Sequence, residues 1–263
     1  YLNREQAFRI VPMTPGVIYA HSHFYDPKLP LWGASGADQL DLLSVFRPFD
    51  QLAQIGSEKG RTCSPDESGW EEGSLFYLID NLGRPHGLEP EDKDIDILIC
   101  DDMGTEIADF IAGSTTKPRL ILIHAKAQER PAKRSASSFQ EVCAQATKNL
   151  AWMHPYSENP APNVDQWDRA WLARGIGKVR HRIRRGVGDA KSVWKAMQGI
   201  IRNPCASKEV WIVLGQGFSL DEFQKERTKP EPRPEIIQIF FLLQSTWDAV
   251  SQVGASLRIY CSP

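Results

Sequence analysis

The chain has 263 residues, 41% of them hydrophobic and 24% charged, which excludes a disordered, collagen-like or coiled-coil protein. Its 31 basic and 33 acidic side chains give a formal net charge of −2, which excludes a protein that binds nucleic acid through a high overall positive charge. A local basic patch remains compatible with this balance. Because no apolar run approaches the ~18 residues that cross a bilayer, we expect no membrane partner.

The first residues and the cysteines bear on cellular location. The segment from Tyr1 to Glu5 contains neither a signal peptide nor an initiator Met, so we expect a piece of a longer polypeptide. The five cysteines lie far apart in the sequence, and their odd number argues against a disulfide framework. These features favour the reducing cytoplasm.

The first predicted domain is a β-rich N-terminal portion, residues 1–72. Short β-prone pieces separated by turns fill its first half, and apolar residues at helical spacing predict a helix between Gly36 and Ile55. The second predicted domain, residues 73–263, begins with the apolar segment from Ser74 to Asp80, which predicts a strand.

Three further strands are predicted in the next part of the chain. Ile95 to Cys100 predicts a strand that enters a hairpin-type turn, Asp101 to Gly104. Thr105 to Ile111 predicts the second strand, and Arg119 to Lys126 predicts the third. Two adjoining hairpins of this kind indicate a meander.

A helix is expected after the third strand. Ser137 or Ser138 is a suitable N-cap, and Glu141 is spaced for a capping box. The later elements are a helical insertion around residues 160–205, a strand, an amphipathic helix and a final strand: Trp167 to Ile201, Val210 to Leu214, Ile236 to Val253, and Leu257 to Cys261. This order predicts an α/β fold whose central mixed β-sheet is flanked by helices.

Two charged residues interrupt the apolar strands. Asp109 lies inside the second predicted strand and Lys126 ends the third. A buried carboxylate needs a counter-charge or a metal ion to stay ionised, and these two positions can face each other across a hairpin. A carboxylate-bound divalent cation beside a lysine is typical of phosphodiester hydrolysis. The alternative interpretation is a plain cross-strand ion pair, worth about 0.5 kcal/mol.

The succession of an Asp-bearing strand, a strand ending in His-x-Lys and a helix resembles the PD-(D/E)XK, or restriction-endonuclease-like, nuclease superfamily. In that family the second strand carries a carboxylate, a spacer and a Lys, and the helix often bears a Gln. The resemblance implies that Asp109 binds the metal ion and that Lys126 positions the attacking water. It implies Gln145 or Gln140 as the helix glutamine, and it makes Glu58 a candidate for the family's upstream acid.

The sequence departs from the family at the second acid, where it has His124. This change removes one negative charge from the expected site of Mg²⁺, a hard cation that prefers oxygen ligands. Glu106 supplies the missing acid if a bulge turns it toward Asp109. Alternatively His124 binds the metal itself, which favours Mn²⁺, or the chain is an inactive descendant that only binds. The predicted metal ligands are Asp109, Glu106 and His124, together with the backbone carbonyl of Ala125.

The function implied by the resemblance is metal-dependent hydrolysis of DNA by an endonuclease with Mg²⁺ or Mn²⁺. The segments from Gly104 to Ile111 and from Ile121 to Lys126 also resemble nuclease domains appended to helicases of bacterial anti-phage defence, which implies a fused or separate helicase partner. Two alternatives stay open. One is a non-catalytic module that binds nucleic acid or protein in a helicase-type assembly, and the other is a structural interaction domain.

A second candidate region is the basic run from Lys178 to Arg185, in which six of eight residues are basic or His. A concentrated ridge of cations is what a phosphate backbone requires. The alternative is a solvated helix face. The predicted nucleic-acid-binding residues are those of this run and one from the linker before the helix: Lys178, Arg180, Arg182, Arg184, Arg185 and Arg134.

Overall fold

A computed structural model describes residues 18–20, 23–25, 42–128, 136–154 and 163–263 of the chain. The described strands are β1 Ile18–Ala20, β2 His23–Tyr25, β3 Phe46–Pro48, β4 Ile97–Cys100, β5 Phe110–Ser114, β6 Arg119–Lys126, β7 Trp171–Ala173, β8 Gly177–Val179, β9 Ile183–Arg185, β10 Ser207–Leu214 and β11 Ser256–Cys261. The described α-helices are α1 Leu75–Asp80, α2 Ala136–Lys148, α3 Ala190–Arg202, α4 Leu220–Arg227 and α5 Pro234–Gln252. Short 3₁₀ helices cover Leu42–Val45, Asp50–Gln54, Leu150–Met153 and Val164–Gln166.

Seven strands form one mixed sheet in the order β3-β11-β10-β6-β5-β4-β9. The half from β3 to β6 is parallel, and β5, β4 and β9 continue it with antiparallel pairing. The strand β6 lies at the centre, with β10 parallel on one side and β5 antiparallel on the other. The two kinds of pairing therefore meet at β6.

Alternation along β6 divides the core into two layers. Leu120 and Leu122 belong to a cluster with apolar residues of α2, α3, α4 and α5. Ile121 and Ile123 point to the opposite face and belong to a second cluster with α1 and the loops around it. Both faces of the sheet are buried, which confirms the predicted α/β class with a central mixed sheet flanked by helices.

Several predicted elements are confirmed with small changes at their ends. The third predicted strand coincides with β6, and the predicted strands at Ile95–Cys100, Val210–Leu214 and Leu257–Cys261 correspond to β4, β10 and β11. The predicted helices that follow the third strand and precede the last one correspond to α2 and α5.

The strand predicted for Ser74–Asp80 is wrong, because these residues form α1. The Ser74 side chain accepts a hydrogen bond from the Tyr77 amide and so caps the helix. Leu75, Phe76, Leu78 and Ile79 are all buried, and their spacing fits one helix face as well as a buried strand.

The strand predicted for Thr105–Ile111 is also wrong in its first part. Residues 101–109 form a loop, and β5 begins only at Phe110. The buried Asp101 carboxylate holds this loop, because it accepts hydrogen bonds from the Ile107 amide (2.8 Å) and from Trp167 Nε1 (2.7 Å). Side-chain bonding to the backbone of this kind competes with strand pairing.

Trp167–Ile201 is not the predicted helical insertion. Its first part forms β7, β8 and β9, and only α3 is helical. Gly175 has φ of +81° in the turn between β7 and β8, a conformation that other residues adopt rarely. The helix predicted between Gly36 and Ile55 is wrong within its described part, which contains β3 between two 3₁₀ turns.

The described part of the predicted N-terminal portion is divided between two places. β1 and β2 pair as a small hairpin, and β3 is an edge strand of the seven-stranded sheet through its pairing with β11. Other residues before Leu42 lie outside the described part. Among the described helices, none combines the length and the apolar character that crossing a membrane requires.

Candidate active site

The Asp109 side chain lies at the entrance to β5. Phe110 and Ile123 are paired across β5 and β6, and Asp109 comes one residue before this pair. Its Oδ2 atom accepts a hydrogen bond of 2.8 Å from the Ala125 amide of β6. This bond holds the carboxylate at the end of β6, beside the residue that precedes Lys126.

The environment of Asp109 opposes its ionisation. Burial raises the pKa of this carboxyl to about 7, the Ala125 amide acts against that rise, and the negative charges of Asp102 and Glu58 add to it. Lys59 acts in the opposite direction. Asp109 thus lies within the electrostatic reach of Glu58, which the resemblance suggested, and of Asp102 and Lys59, which were not among the predicted site residues.

Lys126 ends β6 between two carboxylates. Its Nζ atom is 3.0 Å from Glu141 Oε1 of α2 and 3.3 Å from Glu58 Oε1. Burial alone would lower the pKa of Lys126, but Glu141 and Glu58 raise it overall. The plain Asp109–Lys126 ion pair is therefore not the contact that joins the two strands, since each residue has other partners.

Glu58 belongs to a loop that the end of β10 holds in place. The backbone N–H of Gln216 donates a hydrogen bond of 2.8 Å to the Ile55 carbonyl oxygen. A Cβ atom on Gly215 would come within 2.3 Å of the same oxygen. Glycine at residue 215 thus permits the loop to approach β6, where the Glu58 carboxylate also accepts from the Ala127 amide at 3.4 Å. The upstream acid suggested by the resemblance is therefore beside Lys126.

A second lysine and a second acid lie beside this group. Lys59 Nζ is 2.7 Å from Asp102 Oδ2, and that oxygen also accepts a hydrogen bond of 2.8 Å from Trp171 Nε1 of β7. Sequence reasoning missed Lys59 as a site residue. A signal existed, since Glu58 and Lys59 form a charged pair in a loop between two glycines, Gly56 and Gly60.

His124 lies two residues before Lys126 and therefore points to the same side of the sheet. Its side chain is buried, with 2% exposed, and Nε2 has no hydrogen-bond partner among the described residues. Burial, aided by the positive charge of Lys148, lowers the pKa of His124 to about 3. The imidazole is neutral near pH 7 and cannot provide the negative charge of the acid that the family has there.

Glu106 and Gln145 lie differently from what was expected. The Glu106 carboxylate accepts from the Met103 amide within the loop before β5, at 3.4 Å, whereas Asp109 is bonded to β6. No bulge in a strand joins the two acids, because residue 106 is in a loop. Gln145 lies one turn after Glu141 on α2, and it is Glu141 that bonds to Lys126.

The role expected of Glu141 is corrected as well. This residue was predicted to complete a capping box with Ser137 or Ser138 as the N-cap, but the helix already begins at Ala136, so both serines lie inside it. Its carboxylate instead bonds to Lys126, in the strand before the helix.

Three arginines of the basic run make internal contacts. Arg182 is 6% exposed and donates to the carbonyl oxygens of Cys100 and Asp102. Arg184 makes two bonds to the Asp80 carboxylate, at 2.7 and 2.8 Å, and Arg185 donates to backbone carbonyls. These side chains tie β9 to the sheet, so they are not part of an exposed cationic ridge.

The rest of the basic run is exposed. Lys178 and Arg180 are 3.1 and 3.4 Å from the same oxygen of Glu67. They belong to β8 and the residue after it rather than to a helix. Arg134, the remaining predicted nucleic-acid-binding residue, lies outside the described residues.

The groups of this site that could bind a metal ion are carboxylate oxygens. Within the described ranges, no group of three or more His, Cys, Asp or Glu side chains is arranged to hold a metal ion. Asp109 and Glu58 are close enough for their charges to interact. Two carboxylates fit Mg²⁺, which keeps several water ligands and commonly binds one or two protein carboxylates plus a substrate phosphate.

The comparisons with known proteins find no match to the chain. No family model matches the chain, and no curated protein and no solved structure matches it either.

Proposed function

We propose that this chain is a metal-dependent endonuclease that hydrolyses phosphodiester bonds in DNA. The observation that carries the proposal is the position of Glu58, whose carboxylate contacts Lys126 and whose charge acts on Asp109, which is itself bonded to the Ala125 amide next to Lys126. Each of the three comes from a different segment, so their proximity results from the fold. An acid with a raised pKa beside a lysine and a second acid is an arrangement found more often in active sites than elsewhere.

The order of elements supports the finer fold assignment that we propose, a restriction-endonuclease-like core. Asp109 directly precedes β5, which pairs with β6; β6 ends in the lysine, and α2 follows β6 in the chain. α2 also supplies a side chain that contacts that lysine. This is the succession of strand, strand and helix on which the sequence resemblance rests.

Each proposed role follows from a contact. The Ala125 amide holds one oxygen of Asp109, which orients the other toward a cation. Glu58 holds the Lys126 ammonium group, which positions a phosphate oxygen or the attacking water and offsets the negative charge that develops in the transition state. Because neither lysine nor acid must move far, little reorganisation is needed at the moment of reaction.

A bound Mg²⁺ or Mn²⁺ would lower the pKa of a water ligand and polarise the phosphate. Asp109 and Glu58 would hold it. Binding of a divalent cation would also relieve the repulsion between these two carboxylates, which is one cause of the raised pKa of Asp109. His124 is neutral and buried, so we place it behind the site rather than among the metal ligands.

One observation favours the alternative function, a non-catalytic module that binds nucleic acid or protein. The residue two before Lys126 is a neutral, buried histidine, so this strand contributes no carboxylate of its own. Such a module binds DNA without a need for a metal ion and does not cut it. Association with a helicase and a role in anti-phage defence rest on the sequence resemblance and are part of the proposal.

The test is incubation of supercoiled plasmid with the chain in Mg²⁺, in Mn²⁺ and in EDTA. We expect nicking with either metal ion and none in EDTA. Asp109→Asn and Lys126→Met should each reduce the cleavage rate by at least about 100-fold, because each removes a group that acts in the transition state. Lys117→Met is the matched control, since Lys117 is an exposed, ion-paired lysine just before the opposite end of β6.

The outcomes separate the functions. Undiminished cutting by the Asp109 and Lys126 variants would discard the assignment of the site. Binding of DNA without cutting in any metal ion would support the module instead.

A further inference from the structure

The hairpin of β7 and β8 has one buried face and one exposed face. Trp171 and Val179 are buried and directly paired, and they belong to the core layer around α1. Leu172 and Lys178 form the next pair and point outward, and Leu172 is 67% exposed. An exposed leucine in the middle of a strand has no role in the packing of the core.

Cations surround this leucine. Arg174 lies two residues after Leu172, in the turn. Lys178 is paired with Leu172 across the hairpin, and Arg180 lies two residues after Lys178. All three basic side chains are exposed. The outer face of the hairpin is defined here as Leu172, Arg174, Lys178 and Arg180. An apolar side chain flanked by cations fits a nucleic-acid strand, which offers phosphates and the apolar faces of sugars and bases.

Glu67 covers part of the outer face. Its carboxylate contacts both Lys178 (3.1 Å) and Arg180 (3.4 Å), in the way that a phosphate oxygen would. The backbone of Glu67 has φ of +57°, which is unfavourable for a residue with a side chain. The Arg180 amide donates to the Glu67 carbonyl at 3.0 Å and holds the residue in this conformation. One acid is thus kept at the point where two cations converge.

The hairpin is joined to the candidate active site. Trp171 Nε1 donates to Asp102, and Asp102 is paired with Lys59, whose charge acts on Asp109. These bonds reach the buried face of the hairpin, so the site adjoins the hairpin on the side opposite to its outer face.

We propose that the outer face of the β7–β8 hairpin is the surface that receives the DNA backbone, and that Glu67 competes with a phosphate for Lys178 and Arg180. This inference rests on the proposed function, since it names the surface on which that enzyme would hold the DNA outside its site. Only a DNA strand whose phosphates displace the Glu67 carboxylate from Lys178 and Arg180 binds tightly to the outer face. Leu172 contacts a sugar or a base of that strand. The charges here favour a polyanion over an apolar partner.

The experiment measures the fluorescence anisotropy of labelled single-stranded and duplex DNA in EDTA, so that no cutting occurs, at several salt concentrations. For Arg174→Gln/Lys178→Gln we expect roughly tenfold weaker binding and a salt slope smaller by about 2, because each phosphate contact contributes about 0.9 on duplex DNA. Glu67→Gln should bind about threefold more tightly, since it frees two cations. Leu172→Ser should bind about threefold more weakly with an unchanged salt slope, since it removes no charge.

Two controls match these variants. Lys93→Gln/Lys117→Gln removes two exposed lysines near the other end of the sheet, and Phe241→Ser replaces another large exposed hydrophobic side chain, on α5. Both should bind as the unaltered chain does. Thermal melting of every variant checks that the fold is retained.

Equal affinities for the hairpin variants and the controls would overturn the proposal, and so would weaker binding by Glu67→Gln. Loss of binding to an acidic peptide with unchanged DNA binding would assign the face to a protein partner and also overturn it. The fate of the proposed function is separate. If the chain cuts DNA with a metal ion and the hairpin variants bind normally, the nuclease proposal stands and the proposed role of the hairpin is rejected. If the hairpin variants weaken DNA binding but no metal ion supports cutting, the role of the hairpin stands and the nuclease proposal is rejected.

Discussion

The two ends of β6 both carry charged clusters, but the charges are balanced at only one of them. At the start of the strand, Arg119 makes two bonds to Glu209, at 2.7 and 3.1 Å, and a further ion pair to Asp92. Glu209 also accepts from Arg258 and from Trp211 Nε1, and both guanidinium groups lie over the Trp211 ring. The two arginines and two acids of this cluster balance in charge, and Arg119 and Glu209 each have two partners of opposite charge.

At the end of the strand the acids are less well matched. Asp109 accepts one backbone hydrogen bond, and its neighbours Glu58 and Asp102 repel its charge. Lys126 is divided between two carboxylates. The comparison shows that the first cluster is arranged for stability, whereas the acids of the second cluster are not fully neutralised, and a bound cation could neutralise them.

The largest expected effect concerns the balanced cluster. Arg119→Met leaves Glu209 with less compensation for its buried charge, so we expect the free energy of unfolding to fall by about 3 kcal/mol. Urea denaturation measures this loss. The plasmid-cutting activity of the folded variant should be unchanged, and a large loss of activity at temperatures where the variant is folded would break the distinction between the two ends.

The next effect concerns the pH dependence of the unbalanced cluster. The pKa of Asp109 is about 7 in the folded chain and about 3.9 in the unfolded chain, so the folded state holds a proton that the unfolded state releases between these values. This contribution to stability is complete below pH 4 and is lost as the pH rises through 7. Asp109→Asn removes the dependence.

We therefore expect Asp109→Asn to be more stable than the unaltered chain by on the order of 2 kcal/mol at pH 8, with a difference that vanishes toward pH 4. Urea denaturation at several pH values measures the difference. A stability gap that is constant with pH would show that Asp109 is not held as a high-pKa acid.

The smallest effect is expected at the outer edge of the site. The Glu141 side chain is 55% exposed, so Glu141→Gln should change the free energy of unfolding by less than about 1 kcal/mol. The same substitution frees one side of Lys126. A loss of several kcal/mol in the urea experiment would mean that Lys126 and Glu141 form a structural pair like that at the other end of β6.

The sequence was sufficient for elements whose pattern has a single interpretation. The apolar run of β6 ends in charge at both ends, and its bounds were predicted correctly. Ser74–Asp80 was assigned to the wrong type because a short, mostly apolar segment shows no period that separates helix from strand. The three strands β7–β9 are short, and their glycine turns interrupt any period.

The candidate site was predictable only where it is local in the sequence. Asp109 directly precedes β5 and Lys126 ends the neighbouring strand β6, so the β5–β6 hairpin brings both residues to the same end of the sheet. The contact of Lys126 with Glu58 spans 68 residues and depends on the close approach of a loop to Gly215. Arg182 and its neighbours look like a surface ridge in the sequence, because nothing local reveals that backbone carbonyls and Asp80 accept their bonds.

The way the sheet ends has a consequence for association between copies. Both outermost strands, β3 and β9, contain three residues, and Pro48 in β3 has no N–H to offer a further strand. Short border strands and an edge proline discourage strand-to-strand joining and fibril growth. Among the described strands, neither border is therefore suited to lengthening the ladder with a second copy.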